Sequence, residues 1–311
     1  MAQSHLTNGA AATISKKRVS QRPLESDLLV RILFIVLLLV FWQVVHYWVV
    51  TRPGDTSRGA LFPSPLEVGQ WLWDKFGFSY LTGNYQPVPG EPMPHNLGAA
   101  LFQKEYIPAI YASIARLIEG YLIATVIGFP VGLLVARSAL MEKTVGWLAV
   151  SLQSLPSICW IPLALLWFGR LSITAPILFV TVMGSLFATI VTVADGIRNV
   201  PPLLARAGRT LGTTGTRLYF SVLLPAALPG IVTGLKVGWS FAWRSLMAAE
   251  LIVNSGGLGF LLQRDRENGD ADGVVATIIV IIVIGLVVQE LLFSPIQRRL
   301  QTLWGLTGVR S

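Results

Sequence analysis

The chain has 311 residues, of which 53% are hydrophobic and only 13% are charged, and its mean hydropathy is +0.63. Soluble domains carry about 25% charged residues, so these values exclude an ordinary soluble protein and indicate an integral membrane protein. The net charge of +8 then marks cytoplasmic loops rather than a surface for nucleic acid. The single cysteine, Cys159, excludes an internal disulfide and is interpreted as inert packing.

The sequence carries no pattern typical of an enzyme. No glycine-rich phosphate-binding loop ending in Gly-Lys-Ser/Thr is present, and no Gly-x-Ser-x-Gly elbow occurs. The three histidines, His5, His46 and His95, are far apart, so no cluster has the spacing of metal ligands. We therefore predict no catalytic residue, no metal and no cofactor in this chain, and an intramembrane enzyme is disfavoured.

The first third of the chain is predicted to cross the membrane once. Residues 1–27 are rich in Ala, Ser and Thr and are interpreted as a disordered cytoplasmic arm, and 28–50 as an uncleaved first transmembrane helix. Residues 51–107 form an extracytoplasmic loop, in which Ser64 and Glu67 are spaced as a capping box. The helix that follows is amphipathic, which leaves open an interfacial helix or an ordinary packed one.

Five further apolar segments complete a set of six predicted spans, so the fold class is an all-α membrane protein. The third span is interrupted by Pro156 and Pro162, and residues 298–311 are interpreted as a cytoplasmic tail. The five segments cover 109–136, 145–168, 174–194, 229–252 and 274–294.

Small residues recur every four positions in the second and fifth spans. This pattern lets helices approach closely in lipid, and we predict that the two faces contact each other. The glycines concerned are Gly120, Gly128 and Gly132 on the second span, and Gly230, Gly234 and Gly238 on the fifth.

A polar-to-amphipathic stretch at 199–229 separates the fourth span from the fifth. Leu204, Ala207 and Leu211 recur at helical spacing, and Gly212 stands where a C-terminal glycine with positive φ is expected. A second short helix is predicted to follow, capped by threonine at 213 or 214 and ending before Pro225. The stretch carries three cations, Arg206, Arg209 and Arg217.

Charge asymmetry predicts the orientation. With the amino terminus inside, the inner segments hold 13 Lys/Arg against 4 acids, and the outer ones hold 7 Lys/Arg against 9 acids. This difference satisfies the positive-inside rule. It places both termini and the 199–229 stretch in the cytoplasm.

The 199–229 stretch resembles the cytoplasmic coupling loop, or EAA loop, of permease subunits in binding-protein-dependent ABC importers. Gly212 holds the glycine of that pattern, and Leu224-Pro225 begins its Leu-Pro end. The chain departs from the pattern at Arg206-Ala207-Gly208, which replaces Glu-Ala-Ala and reverses the sign of the acidic position. Segments such as Gln153-Ser154-Leu155-Pro156 and Ala248-Ala249-Glu250-Leu251-Ile252 are similar to the nitrate/sulfonate/taurine branch, which also contains bicarbonate and pyrimidine-precursor permeases.

The resemblance implies a type I ABC importer permease architecture over residues 108–297, with the coupling loop at 195–224. It also implies a permease homodimer in the inner membrane, two cytoplasmic ATPase subunits that bind ATP and Mg, and an extracytoplasmic solute-binding protein. A channel is the alternative from another class. The residues expected to contact the ATPase are Leu204, Arg206, Ala207, Gly208, Leu211, Gly212 and Arg217.

Three cations inside predicted spans are candidates for the solute pathway: Arg116, Lys236 and Arg244. Each also has a structural alternative. Arg116 is three residues from Glu119 and is able to pair with it, and Lys236 is able to snorkel to the inner interface. Arg244 is the favoured contact for a small oxyanion, with pairing to Glu119 or Glu250 as its alternative. The sequence does not choose among sulfonate, taurine, nitrate and bicarbonate.

Overall fold

In a computed structural model, residues 24–50 and 62–303 are described. This part of the chain contains helices and no strand, and five helices are long and apolar enough to cross a membrane. A bent helix pair adds a sixth candidate span, so the all-α prediction with about six spans is confirmed. Of the predicted cytoplasmic arm only residues 24–27 are described, and of the predicted tail only 298–303, in both cases as helix. The helices are α1 (Leu24–Val50), α2 (Pro65–Lys75), α3 (Leu97–Gln103), α4 (Tyr106–Arg137), α5 (Ala139–Gln153), α6 (Ser157–Phe168), α7 (Thr174–Arg198), α8 (Pro202–Thr210), α9 (Gly215–Ile252), α10 (Leu258–Glu267) and α11 (Ala271–Leu300).

The third predicted span is two helices rather than one. α5 and α6 meet at an angle of 101° across a short break that contains Pro156. Proline disfavours the helical conformation of the residue before it and has no N–H to continue the helical hydrogen bonds. The break therefore leaves non-helical backbone between two apolar helices.

Both glycine faces pack against α7, so the predicted direct contact between them is wrong. A Cβ on Gly128 would lie 3.2 Å from the Leu186 carbonyl oxygen, and one on Gly238 would lie 2.7 Å from Thr189 Oγ1. At the C-terminal end of α7, Gly230 meets Gly196, whose Cα lies 3.1 Å from the ideal Cβ position on Gly230. α7 is thus sandwiched between α4 and α9.

The sequence of α7 explains why it occupies this position. Small residues and hydroxyl residues lie on its buried faces, and Ser185 Oγ donates to the Gly238 carbonyl at 3.0 Å. Thr192 Oγ1 donates to the Gly234 carbonyl at 3.2 Å. Small side chains on both partners permit the close helix approach that stabilises packing in lipid.

α9 is longer than predicted and contains two prolines. It runs without interruption from the coupling stretch through the membrane, so the prediction of a short helix that ends before Pro225 is wrong. Pro225 lies in the first turn after a π-helical turn at Tyr219–Leu223, and Pro229 lies inside the helix. A wider turn redistributes the backbone hydrogen bonds that a proline disturbs.

On the predicted outer side, α2 packs against the first turns of α11. The capping box is confirmed, because the Glu67 N–H donates to Ser64 Oγ and the Ser64 N–H donates to Glu67 Oε2. The hydrogen bond from the Ser64 backbone N–H, followed by the one from the Ser64 side chain, lowers the pKa of the Glu67 carboxyl. Trp71 donates its Nε1–H to Asp270 at 3.1 Å and meets the Tyr106 ring edge-on. The helix is therefore packed on its Trp71 side.

Candidate coupling segment and translocation site

The segment from Pro202 to Leu223 forms a helix, a tight turn and the start of a second helix, as predicted. Gly212 adopts φ +82, which confirms the predicted positive φ. The Gly212 N–H donates to the Arg209 carbonyl, and the Thr213 N–H donates to the Gly208 carbonyl, each at 3.0 Å. The predicted capping by threonine hydroxyls is wrong: Thr214 makes no side-chain cap bond, and Thr213 Oγ1 instead donates to the Gly208 carbonyl.

Gly208 brings the two helices of this segment together. It is buried, and a Cβ there would lie 2.6 Å from Leu218 Cδ1 and 3.3 Å from Val222 Cγ2. The other residues of α8 are exposed, apart from the half-buried Ala205, so Gly208 acts on the shape of the segment rather than on its outer surface. Gly212, by contrast, has open space around its Cβ position.

Two residues that the sequence reasoning missed attach the segment to α4. Arg137 Nη2 donates to Thr216 Oγ1 at 3.0 Å, and the Tyr219 hydroxyl donates to the Leu133 carbonyl at 2.9 Å. The Arg137 guanidinium also lies 5.8 Å from the centre of the Tyr219 ring. These contacts join the segment to the C-terminal end of α4.

The predicted apolar stripe of α8 is not packed within the chain. Leu203 and Leu211 are 72% and 84% exposed, and Leu204 is also exposed. The three predicted cations, Arg206, Arg209 and Arg217, are exposed around these leucines, as is Ala207. An apolar patch rimmed by charge is typical of a protein–protein contact.

Arg116 is held in a buried network by a partner that the sequence reasoning did not choose. Its Nη1 lies 2.7 Å from Glu250 Oε1, and its Nη2 donates to the Ser255 carbonyl at 2.7 Å. Glu250 is fully buried, and its Oε2 accepts from Ser113 Oγ and the Gly259 N–H. The Arg116–Glu119 pairing is therefore wrong. Because its donors are engaged, Arg116 is better explained as structural.

The break between α5 and α6 opens a cavity of about 310 Å³, which we call the break cavity. It lies between the break and the C-terminal half of α9. Non-helical backbone at membrane depth is tolerated only where it is buried in protein or lines a water-filled space, so this cavity explains why the break is permitted. Its lining residues are Leu152, Gln153, Ser154, Leu155, Pro156, Ser157, Ile158, Trp160, Met183, Gly184, Phe241, Arg244 and Ser245.

Arg244 is the predicted pathway residue that reaches this cavity. Its Nε donates to the Ser240 carbonyl at 3.2 Å, and its guanidinium lies 4.5 Å from the centre of the Phe241 ring. Within the described residues it forms no ion pair, and Glu250 is paired with Arg116 instead. The alternative pairing of Arg244 with Glu119 or Glu250 is therefore wrong. The guanidinium of Arg244 remains available to bind a ligand.

Lys236 and Cys159 lie elsewhere. Lys236 is half-buried on α9, about 12 Å along the helix from Arg244, and it does not line the break cavity. Cys159 is exposed in the turn between Ile158 and Trp160, so its interpretation as inert packing is wrong. The sequence signal for the cavity was Pro156, which was read only as an interruption of a span.

Comparison with known proteins agrees with this architecture. Residues 128–300, more than half of the chain, match the family described as the binding-protein-dependent transport system inner membrane component. The taurine transport system permease protein TauC of Escherichia coli (strain K12) is 34% identical over 61% of this chain and 68% of its own length. The nitrate import permease protein NrtB of Synechocystis sp. is 25% identical over 82% of this chain and 83% of its own.

A solved structure supports the fold. A chain from inward-facing crystals of the MetNI methionine ABC transporter matches with a TM-score of 0.55 and 22% identity, over 62% of this chain and 95% of that one. The chain spans about two thirds of the length of the first curated relatives that it matches. These matches, with the spans and the coupling-type segment, show a transport component rather than an enzyme. The chain belongs to the family of inner membrane components of binding-protein-dependent transport systems.

Proposed function

We propose that this chain is the permease subunit of an ATP-driven importer that moves a small oxyanion into the cytoplasm by alternating access. Two copies would form the pathway, two cytoplasmic ATPase subunits would bind ATP and Mg, and an extracytoplasmic protein would deliver the solute. The relatives named for taurine and nitrate transport support an oxyanion. Sulfonate, taurine, nitrate and bicarbonate are the candidates within this class.

The exposed face of α8 supports an ATPase contact. The positive-inside charge distribution supports a cytoplasmic position for this face. Its leucines are exposed within the described chain, and the arginines around them offer charged hydrogen bonds to a partner. The contacts of Arg137 and Tyr219 would pass a movement of this face to α4, and the Gly208 contact would keep α8 and α9 moving as one body.

The observation that carries the proposal for the solute is the position of Arg244. It is the one charged residue among those that line the break cavity. An anion that leaves water needs charged or N–H donors to replace its hydration, and a guanidinium is able to donate two parallel bonds to two oxygens. No acid competes for it among the described residues, as its contacts with Ser240 and Phe241 show.

Replacement of Arg244 by glutamine tests this assignment. We expect Arg244→Gln to lower uptake of labelled taurine or nitrate about tenfold or more, because a hydrogen bond to a charged group contributes roughly 1.5–3 kcal/mol. The measurement is initial uptake by cells that carry the variant as the only copy of the gene. Arg170→Gln is the matched control, because Arg170 is exposed in a loop away from the cavity.

The amount of folded protein decides how a loss of uptake is interpreted. Arg244→Gln should accumulate in the membrane at the level of Arg170→Gln, since Arg244 balances no buried acid. Unchanged uptake in Arg244→Gln would remove this residue from the pathway. If no oxyanion is taken up even by the wild type, the proposal of an oxyanion importer fails as a whole.

A further inference from the structure

We infer that a second cavity, between α5 and α7, binds the head group of phosphatidylethanolamine, a phospholipid whose primary ammonium lies beside its phosphate. The cavity has a volume of about 250 Å³ and is closed on one side by the C-terminal part of α4. We call it the α5–α7 cavity. It shares no lining residue with the break cavity, so this lipid site is independent of the proposed function.

The α5–α7 cavity lies at the end of the bundle that carries the coupling segment. Arg198, the last residue of α7, lines the cavity, and the coupling segment begins shortly after it at Pro202. Val135 of α4 also lines it, and the nearby Arg137 donates to Thr216 in the coupling segment. The ends of membrane-spanning helices lie at the level of the lipid head groups. In the predicted topology these head groups belong to the cytoplasmic leaflet.

Part of the lining is apolar and open to the surroundings of the protein. Trp147 and Val150, one turn apart on α5, are 68% and 56% exposed. Val135, Ile190 and Ala194 form a buried apolar floor beneath them. Tryptophan is enriched at the level of lipid head groups, where its ring meets acyl chains and its N–H meets polar groups. This wall suits a ligand that carries acyl chains better than it suits a soluble ion.

The polar part of the lining consists of two carboxylates and one guanidinium. Arg198 Nη1 lies 3.0 Å from Glu142 Oε1, and Arg198 Nη2 donates to the Val135 carbonyl at 2.8 Å. Asp195 lies on the same side of α7, three residues before Arg198. It is exposed and forms no ion pair within the described part of the chain. The charge that lacks a partner at this cavity is therefore negative, and the matching group on a ligand is a cation.

An ethanolamine head group matches these charges better than the other common head groups do. Its ammonium donates up to three hydrogen bonds from one small group, which suits the carboxylates of Asp195 and Glu142. A guanidinium has five N–H donors, so Arg198 retains donors for the phosphate beyond its bonds to Glu142 and Val135. The trimethylammonium of phosphatidylcholine has no N–H to donate. Phosphatidylglycerol has no cation and brings a second negative charge close to Asp195.

Native mass spectrometry of the purified full-length chain tests this selection. Palmitoyl-oleoyl phosphatidylethanolamine, phosphatidylcholine and phosphatidylglycerol are added separately at equal concentrations, and the Kd of the first bound lipid is measured. We expect phosphatidylethanolamine to bind about tenfold more tightly than the other two, as one charge-assisted hydrogen bond allows. Asp195→Asn should remove this preference. The matched control is Asp74→Asn, an exposed aspartate on α2 outside the lining, which should retain it.

Two further variants separate a lipid site from a defect in folding. Asp195→Asn combined with Glu142→Gln leaves Arg198 as the one charged residue of the lining. This variant should bind phosphatidylglycerol more tightly than phosphatidylethanolamine, a reversal that misfolding would not produce. Val150→Trp fills the open side of the cavity and should weaken the binding of all three lipids. Its control, Leu148→Trp, is 47% exposed on the same helix and outside the lining, and should bind them as the wild type does.

Four results would overturn the lipid site. They are equal Kd values for the three lipids in the wild type, a preference for phosphatidylethanolamine that survives Asp195→Asn, and displacement of the bound lipid by an equal concentration of O-phosphoethanolamine, which would assign the cavity to a soluble ammonium compound. The fourth is the dissociation of a dimer by Val150→Trp with lipid binding unchanged, which would make this face an interface between two copies of the chain. None of these readouts involves solute uptake, so failure of the lipid site is distinguishable from failure of the importer proposal.

Discussion

Neutralising Glu250 should destabilise the protein more than neutralising an exposed carboxylate does. Glu250 is fully buried and accepts hydrogen bonds from three donors: Arg116 at 2.7 Å, Ser113 at 2.7 Å and the Gly259 N–H at 3.1 Å. Glu250→Gln keeps the shape but leaves the Arg116 charge, only 12% exposed, without its partner. Removing one member of a buried ion pair costs about 3–5 kcal/mol.

The assay is the fraction of detergent-solubilised protein that remains monodisperse after heating. With a loss of about 2 °C or more per kcal/mol, the midpoint for Glu250→Gln should fall by at least about 6 °C. Glu119→Gln is the matched control, because Glu119 is an exposed glutamate on the helix that carries Arg116 and makes no ion pair among the described residues. Its midpoint should stay within about 2 °C of the wild type, as for most surface substitutions.

A double substitution separates the orphaned charge from a general packing defect. Arg116→Gln combined with Glu250→Gln leaves no unpaired charge, so it should recover part of the loss seen in Glu250→Gln alone. The reasoning is refuted if Glu250→Gln is as stable as Glu119→Gln. It is also refuted if the double variant loses more stability than the two single variants lose together.

Other predictions address the coupling segment, the packing of α7 and the topology. Gly212→Val should reduce uptake at normal expression while Gly212→Asn retains most of it, because only the left-handed backbone conformation is at stake there; equal uptake in the two would contradict this. Gly208→Ala should separate α8 from α9 and leave ATP hydrolysis poorly coupled to uptake, measured as solute moved per ATP in proteoliposomes. Gly128→Leu should lower thermal stability and yield, since α7 backbone lies 3.2 Å from its Cβ position; a normal melting midpoint would speak against the sandwich. With the native cysteine replaced by serine, a cysteine at Gly90 should react with an impermeant thiol reagent in intact cells and one at Thr214 should not.

Much of the fold was predictable because lipid imposes simple rules on sequence. The apolar runs predicted the spans, and glycine at 212 predicted the left-handed turn, since few other residues adopt it. The Ser64 capping box was also readable, because both of its bonds are local. These features depend on residues close together in the chain.

The site was less predictable because its contacts join distant segments. For Arg116 the sequence offered Glu119, three residues away, as the alternative to a place in the solute pathway, whereas its partner Glu250 is 134 residues away. The two glycine faces were predicted to contact each other because small residues recur regularly on each. Both instead pack against the small and hydroxyl residues of α7. Pro156 signalled a break, yet only the folded arrangement brings Arg244 to the cavity beside it.

The central claim is that this chain moves its solute only when a partner hydrolyses ATP, and proteoliposomes test it most directly. The permease is reconstituted with its ATPase subunits, and the solute-binding protein is supplied on the extracytoplasmic side with labelled taurine or nitrate. We predict accumulation against a gradient that requires hydrolysable ATP and the binding protein, and that Gly212→Val reduces without loss of the assembled complex. Equilibration of the solute without ATP would contradict the account and favour a channel.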